Sequence, residues 1–180
     1  MKIYFSFLLL SIYIFASAQP DIIEINTQMV FIKAGNFEMG NNNGKADAKP
    51  LHTVTLNDFY MGKYEVTQEL WQLVMGIEKA KKLNCMQCPV YDVSMENIQV
   101  FLSKLNQLSG KYYRLPTEAE WEFAASGGKE SKNYTYSGSN NLEEAAWFAS
   151  NSDMITHPVG LKKPNELGLY DMIGNVWELC

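Results

Sequence analysis

Tyr113-Arg114-Leu115-Pro116-Thr117-Glu118-Ala119-Glu120-Trp121-Glu122 is the most informative stretch of this 180-residue chain. Thr117 and Glu120 have the spacing of a capping box: the Thr hydroxyl takes one orphan backbone N–H of a helix start and the Glu carboxylate takes another. The box predicts a short helix through Ala125, ended by Gly127-Gly128. Arg114, beside that helix start, reads more readily as a structural ion-pair partner of Glu118 or Glu122 than as a substrate-binding group. Trp121 reads as core, because buried indoles dominate packing in small domains.

Upstream, hydrophobic periodicity changes from strand to helix. Gln28-Met29-Val30-Phe31-Ile32 has the apolar run of a buried strand, and Asn36-Phe37-Glu38-Met39 is a short extended piece bracketed by Gly35 and Gly40. Asn41 to Pro50 reads as a surface loop. His52-Thr53-Val54-Thr55-Leu56 alternates as a strand with one buried face, Asn57-Asp58 turns the chain, and Phe59-Tyr60-Met61 extends toward Gly62. Thr67 caps a helix carrying Leu70, Trp71 and Val74 at helical spacing, and Gly76 closes it. After an irregular loop from Lys79 to Cys88, Ser94 caps a longer helix with Met95, Ile98, Phe101, Leu102, Leu105 and Leu108 on one face, and Gly110 ends it.

Beyond Lys129 the periodicity fades. Tyr134, Tyr136, Trp147 and Phe148 are scattered among Ser, Asn and Gly, the pattern of a loop-rich region held by aromatic packing and polar contacts. No repeat or low-complexity tract interrupts the chain. The class expected is α+β, with short strands around two or three helices and an extended loop-rich half.

Composition places the chain among ordinary globular domains, with 47% apolar and 19% charged residues. The formal charge of -5, with both signs interspersed, leaves no basic stripe for nucleic acid. Residues 1–18 read as a signal peptide: Met1-Lys2 supplies the charge, Ile3 to Phe15 the apolar stretch, and Ala16-Ser17-Ala18 a small-residue cleavage site before Gln19. The rival reading, a membrane anchor, calls for about 20 apolar residues, and the run reaches Gln19-Pro20-Asp21 sooner. Export, to the outside or to the periplasm and cell envelope, is the expectation, with residues 19–180 as one domain and no membrane span after cleavage.

Export bears on the cysteines, because thiols outside the cytoplasm tend to pair. Cys85 and Cys88 form a C-x-x-C that reads as a local disulfide; a redox motif or half a zinc site are the alternatives. Cys180 is then unpaired. His52 and His157 have no acid, base or nucleophile at an informative spacing and read as ordinary.

Five segments together resemble the formylglycine-generating (sulfatase-modifying factor) family. Gly35 to Gly40 matches its G-x-F-x-M-G, Tyr64-Glu65-Val66-Thr67 its E-V-T helix entry, and Pro89 to Ser94 its P-V-x-x-V-S, with Met95 where the family usually has Trp. Arg114 to Glu122 reproduces R-L-P-T-E-A-E-W-E in full. Pro164 to Glu178 resembles P-N-x-x-G-L-Y-D-M-x-G-N-V-W-E, with Leu179 replacing a usual Trp.

The resemblance implies a C-type-lectin-like fold, loop-rich and, with the chain ending at Cys180, incomplete at its C-terminus. It implies copper-dependent oxidation of a sulfatase cysteine to formylglycine, performed in the family by a cysteine pair that lies beyond G-N-V-W-E. None of Cys85, Cys88 and Cys180 matches that pair, so no catalytic residue is assigned. It also implies a structural calcium held by side-chain oxygens of Asp171 and Glu178 and backbone oxygens of Gly174 and Val176, donors that suit Ca²⁺. Without the family, both acids would read as surface or cap groups. A second calcium of the family maps near Ala146-Trp147, where Ala146 lacks the expected oxygen and Asn151 and Asp153 are substitutes. Trp177 is expected in the core with Trp121.

The leading expectation is thus an exported formylglycine-generating-type oxidoreductase, inactive as this portion alone, whose partner is a sulfatase or another exported protein. The alternative is a non-catalytic, calcium-stiffened binding or structural protein of the envelope. An iron oxygenase of the ergothioneine type would need a His-rich site on another helical domain.

Overall fold

The computed structural model describes residues 28–42, 46–76 and 85–180. The expected signal peptide at 1–18 and most of the loop from Lys79 lie outside them.

Four strands form one long nested hairpin. β1 (Met29–Ile32) pairs antiparallel with β4 (Phe59–Gly62), and β2 (Gly35–Met39) pairs antiparallel with β3 (His52–Leu56). The two ladders are separate two-stranded sheets, broken where Lys33-Ala34 faces Asn57-Asp58. Asp58 pins that break: it accepts the Ala34 N–H at 2.6 Å and the Lys33 ammonium at 3.1 Å. These contacts, the Ala34 N–H foremost, hold its carboxyl below the usual range.

Helices follow their caps. α1 (Gln68–Met75) starts on the Thr67 hydroxyl, α2 (Met95–Ser109) on Ser94 and ends at left-handed Gly110, and α3 (Glu118–Ala125) on the expected capping box. A single turn, α4 (Leu142–Ala145), is the one α-helix described in the region after Lys129. Periodicity could not announce it, because one turn carries no repeat.

Two hydrophobic clusters form. Ile32, Met61, Phe123, Ala124, Leu169 and Met172 join the outer hairpin to α3 and the C-terminal loops. Trp71, Val74, Phe101 and Leu105 join α1 to α2, with the Trp71 and Phe101 rings stacked at 4.8 Å. Such a pair adds about 0.5–1.5 kcal/mol beyond its burial.

Several packing expectations need correction. Phe31 is not buried: it faces outward and meets Tyr60 at 5.2 Å, because alternate residues of β1 and β4 point away from the first cluster. The α2 stripe is narrower than its periodicity, with Met95 and Leu108 exposed at its ends. Trp177 is not core but 101% exposed.

The loop-rich half is held by side-chain oxygens. Buried Asn165 accepts the Leu167 and Leu169 N–H groups and donates to the Ala124 carbonyl, tying the C-terminal loops to α3.

Candidate functional site

The chain brings Tyr64-Glu65-Val66-Thr67, which joins β4 to α1, against Gly174-Asn175-Val176-Trp177-Glu178. Asn175 is the bridge. Its Nδ2 donates to Glu65 Oε2 at 2.7 Å and to the His157 carbonyl at 3.1 Å, while its Oδ1 accepts the His157 N–H at 2.9 Å. Glu65 Oε1 accepts the Val176 N–H at 3.2 Å.

Local backbone explains these residue types. Asn175 and Asp171 sit at φ 59° and 57°, the left-handed region that Asn and Asp tolerate best among residues with a Cβ. Gly174 runs against Trp147, where an added Cβ would lie 2.4 Å from the Trp147 carbonyl oxygen. Asn175 N–H then donates to that same oxygen at 3.0 Å.

Three carboxyls gather here with their charge uncompensated. Burial first, then the charges of Asp171 and Glu178, push Glu65 up to about 8, although Asn175 and Val176 donate to it. Burial also raises Asp171, against the Gly160 N–H that reaches its Oδ2 at 2.7 Å. Its other oxygen, Oδ1, is buried and accepts no hydrogen bond. Glu178 is exposed as a residue, yet its carboxyl turns inward to accept the Trp121 indole N–H at 2.6 Å; burial of that end and the charge of Asp171 raise its pKa. Lys63 is occupied between the Tyr64 and Tyr170 rings, 5.3 and 5.5 Å from their centroids.

A cleft of about 300 Å³ runs beside the acids between the two hydrophobic clusters, with Tyr64, Glu65, Trp121, Tyr170 and Glu178 on its wall. Arg114 also reaches it, but its guanidinium grips Glu120 with two bonds of 2.7 Å, not Glu118 or Glu122 as expected. Glu120 is the capping-box acid and the least exposed of the three, so one carboxylate serves the helix start and the ion pair together. The structural reading of Arg114 stands with a different partner.

Asp171 and Glu178 of the expected calcium set stand in the acid cluster, and Gly174 and Val176 lie between them in the chain. Among the described residues, no hydrogen bond reaches the carbonyl oxygens of Gly174 and Val176. No three His, Cys, Asp or Glu side chains among them close on a metal-sized point, so a cation here would take backbone oxygens as well. Near Ala146, Asn151 is already engaged, accepting from Phe148 N–H and donating to the Ala146 carbonyl, and Asp153 is exposed. His157 stacks on Trp147 at 3.8 Å and uses Nε2 on the Ser152 carbonyl. Cys85 and Cys88 sulfurs are at bonding distance, 2.03 Å, and Cys180 is a free, exposed thiol. Glu65 and Asn175 stand in the sequence only as members of motifs, and neither was singled out there; a Glu placed just before a Thr helix cap was the available signal.

The sulfatase-modifying factor enzyme 1-like domain model matches residues 15–180, and the chain belongs to that family. Chaperone protein LppX of Paenibacillus barcinonensis is 39% identical over 178 residues, which cover 71% of this chain and 63% of the relative, so the chain spans less than two thirds of it. The formylglycine-generating enzyme of Streptomyces coelicolor is 38% identical over 80 residues, 37% of this chain and 25% of that enzyme. In three dimensions the chain is similar to Treponema denticola variable protein 1, with a TM-score of 0.73 and 32% identity over 84% of this chain and 71% of that one. The mixed, loop-rich fold expected from the motifs is the fold observed.

Proposed function

We propose that this chain is an exported, cation-stiffened scaffold of the family, whose role is to bind another exported protein. The observation that carries the reading is the acid cluster: Glu65, Asp171 and Glu178 with raised pKa values, and an Asp171 oxygen that is buried and unpartnered. Buried carboxylates are costly unless paired or coordinated. A hard divalent ion such as Ca²⁺ meets that need through oxygen donors, and the Asp171 and Glu178 carboxylates with the Gly174 and Val176 carbonyls would hold it. When bound it supplies positive charge and cross-links the G-N-V-W-E loop; Asn175 and Glu65 fix that loop against α1. The chaperone name of the LppX relative supports a binding role.

The oxidase reading is favoured by the identity to the Streptomyces enzyme. It requires two free thiols within reach of one copper(I) ion. Of the three cysteines in these residues, Cys85 and Cys88 are bonded to each other and Cys180 stands alone. Copper chemistry of that type would therefore draw its thiols from outside these residues.

The test is a melting curve in millimolar calcium and in chelator, for the native chain and Asp171→Asn. The scaffold reading expects calcium to raise the melting temperature of the native chain and to leave the variant unmoved. Equal curves for the native chain in calcium and chelator would refute it.

A further inference from the structure

The Cys85–Cys88 disulfide, at sequence separation 3, lies in a loop that ties together the two segments meeting at the acid cluster. On one side, Cys88 O accepts the Gln68 N–H and Met86 O the Glu69 N–H, each at 2.9 Å, so loop carbonyls satisfy two orphan donors at the start of α1. Val90 N–H returns to the Val66 carbonyl at 2.8 Å. On the other side, Gln87 O accepts the Val159 N–H at 3.0 Å, and Cys88 Sγ lies 3.7 Å from the Thr156 carbonyl.

Both anchors lead directly to the acids. Helix α1 follows Glu65 through Val66 and Thr67. The 156–160 segment supplies His157, whose N–H and C=O both bond to Asn175, and Gly160, whose N–H bonds to Asp171 Oδ2. Inside the loop one backbone bond, Cys88 N–H to Cys85 O at 3.1 Å, accompanies the covalent link. Met86 and Gln87 are exposed, Cys85 is half-buried and Cys88 is buried.

We propose that this disulfide is a redox-controlled staple of the acid cluster: its reduction slackens the contacts that register Glu65 against Asn175 and lowers the cluster's affinity for its cation. The cation half rests on the function proposed above. The step is a two-electron exchange with a dithiol. A reductant thiolate attacks Cys85 Sγ, the S–S bond breaks and Cys88 leaves as a thiolate. The second reductant thiol then displaces Cys85, so the reductant ends as a disulfide and its two protons reside on the cysteines.

The staple acts through loop geometry. Closing a loop removes alternatives open to the unlinked chain. Opening it frees the carbonyls of Met86, Gln87 and Cys88 to leave α1 and the 156–160 segment, whereas α3 is capped by its own Thr117 and Glu120. Loosening is therefore local.

The test uses the chain carrying Cys180→Ser, so that only Cys85 and Cys88 can react, before and after dithiothreitol. Amide exchange of Gln68, Glu69 and Val159 is followed by NMR together with the Asn175 side-chain amide, and the backbone N–H of Trp121 in α3, which donates to the Thr117 carbonyl at 2.9 Å, serves as reference. Reduction is expected to cut protection of the three amides at least tenfold, shift the Asn175 signals, leave Trp121 unchanged and weaken calcium binding at least tenfold. Cys85→Ser/Cys88→Ser must reproduce the reduced pattern. Unchanged protection at the three amides overturns the staple even if calcium binds both forms, and equal loss at Trp121 overturns it by making the bond a global stabiliser. Local loss of protection with no calcium bound by either form supports the staple and sinks the cation reading instead.

Discussion

Asn175 Nδ2 stands 2.7 Å from Glu65 Oε2, across 110 positions of sequence. The same amide group engages both backbone groups of His157, so one side chain locks the α1 entry, the 156–160 segment and the G-N-V-W-E loop together. Asn175→Ala is expected to destabilise the chain by about 2–4 kcal/mol, since several partners lose their bonds and Ala fits the left-handed backbone poorly. Asn175→Asp tolerates that backbone but sets a further carboxylate against Glu65. Its loss, read by urea denaturation, should be larger at pH 8 than at pH 5.

Glu65 gives the native chain a pH dependence of definite sign. Its folded pKa of about 8 lies above the reference value of 4.5, so the native state binds more protons than the unfolded state between those values. The resulting stability is fully present below pH 4.5 and is lost as pH rises through 8. A tenfold change in proton affinity is worth ~1.4 kcal/mol, so the decline amounts to a few kcal/mol at most. Denaturation in chelator across pH 5 to 8.5 measures it, and a rise in stability over that range would contradict the assignment. Glu65→Gln should reduce the decline to the part due to Asp171 and Glu178, and lower stability at pH 5, because an amide sets a donor against either Asn175 or Val176.

Arg114 and Glu120 act in the opposite direction. The guanidinium, with help from the Thr117 N–H, holds Glu120 at about 2 against burial, below its reference of 4.5. This contribution is present above pH 4.5 and lost as pH falls toward 2. Arg114 is half exposed, so the pair contributes on the order of 1–3 kcal/mol after solvent screening. Arg114→Lys, which cannot make the fork, should lose most of it and move the acid-unfolding midpoint upward.

Gly174 leaves no room for a side chain. The Trp147 carbonyl oxygen would lie 2.4 Å from an added Cβ. Gly174→Ala should therefore cost about 2–3 kcal/mol and displace Trp147, detectable as a change in indole fluorescence.

What was legible in sequence was local. Thr67, Ser94 and Thr117 announce their helices because a cap is a contact between near neighbours, and alternation gives β3 because its faces differ in burial. The nested pairing of β1 with β4 joins residues on opposite sides of another hairpin, which no local pattern encodes. The sequence pairs Arg114 with Glu118 or Glu122 by position alone, whereas the fold gives it Glu120, whose carboxylate has acceptor sites for both the helix cap and the ion pair. Residue type alone puts Trp177 in the core, yet it stands fully exposed just after the Gly174-Asn175 turn. Family motifs singled out Asp171 and Glu178, and folding brings a third acid, Glu65, within reach of their charges.

Calcium titration by calorimetry on chelator-stripped protein at neutral pH, with Asp171→Asn alongside, bears most directly on the acid cluster as a cation site. Saturable binding by the native chain, weakened at least 100-fold in the variant, is the predicted result. No saturable binding, or equal binding by Asp171→Asn, would contradict it.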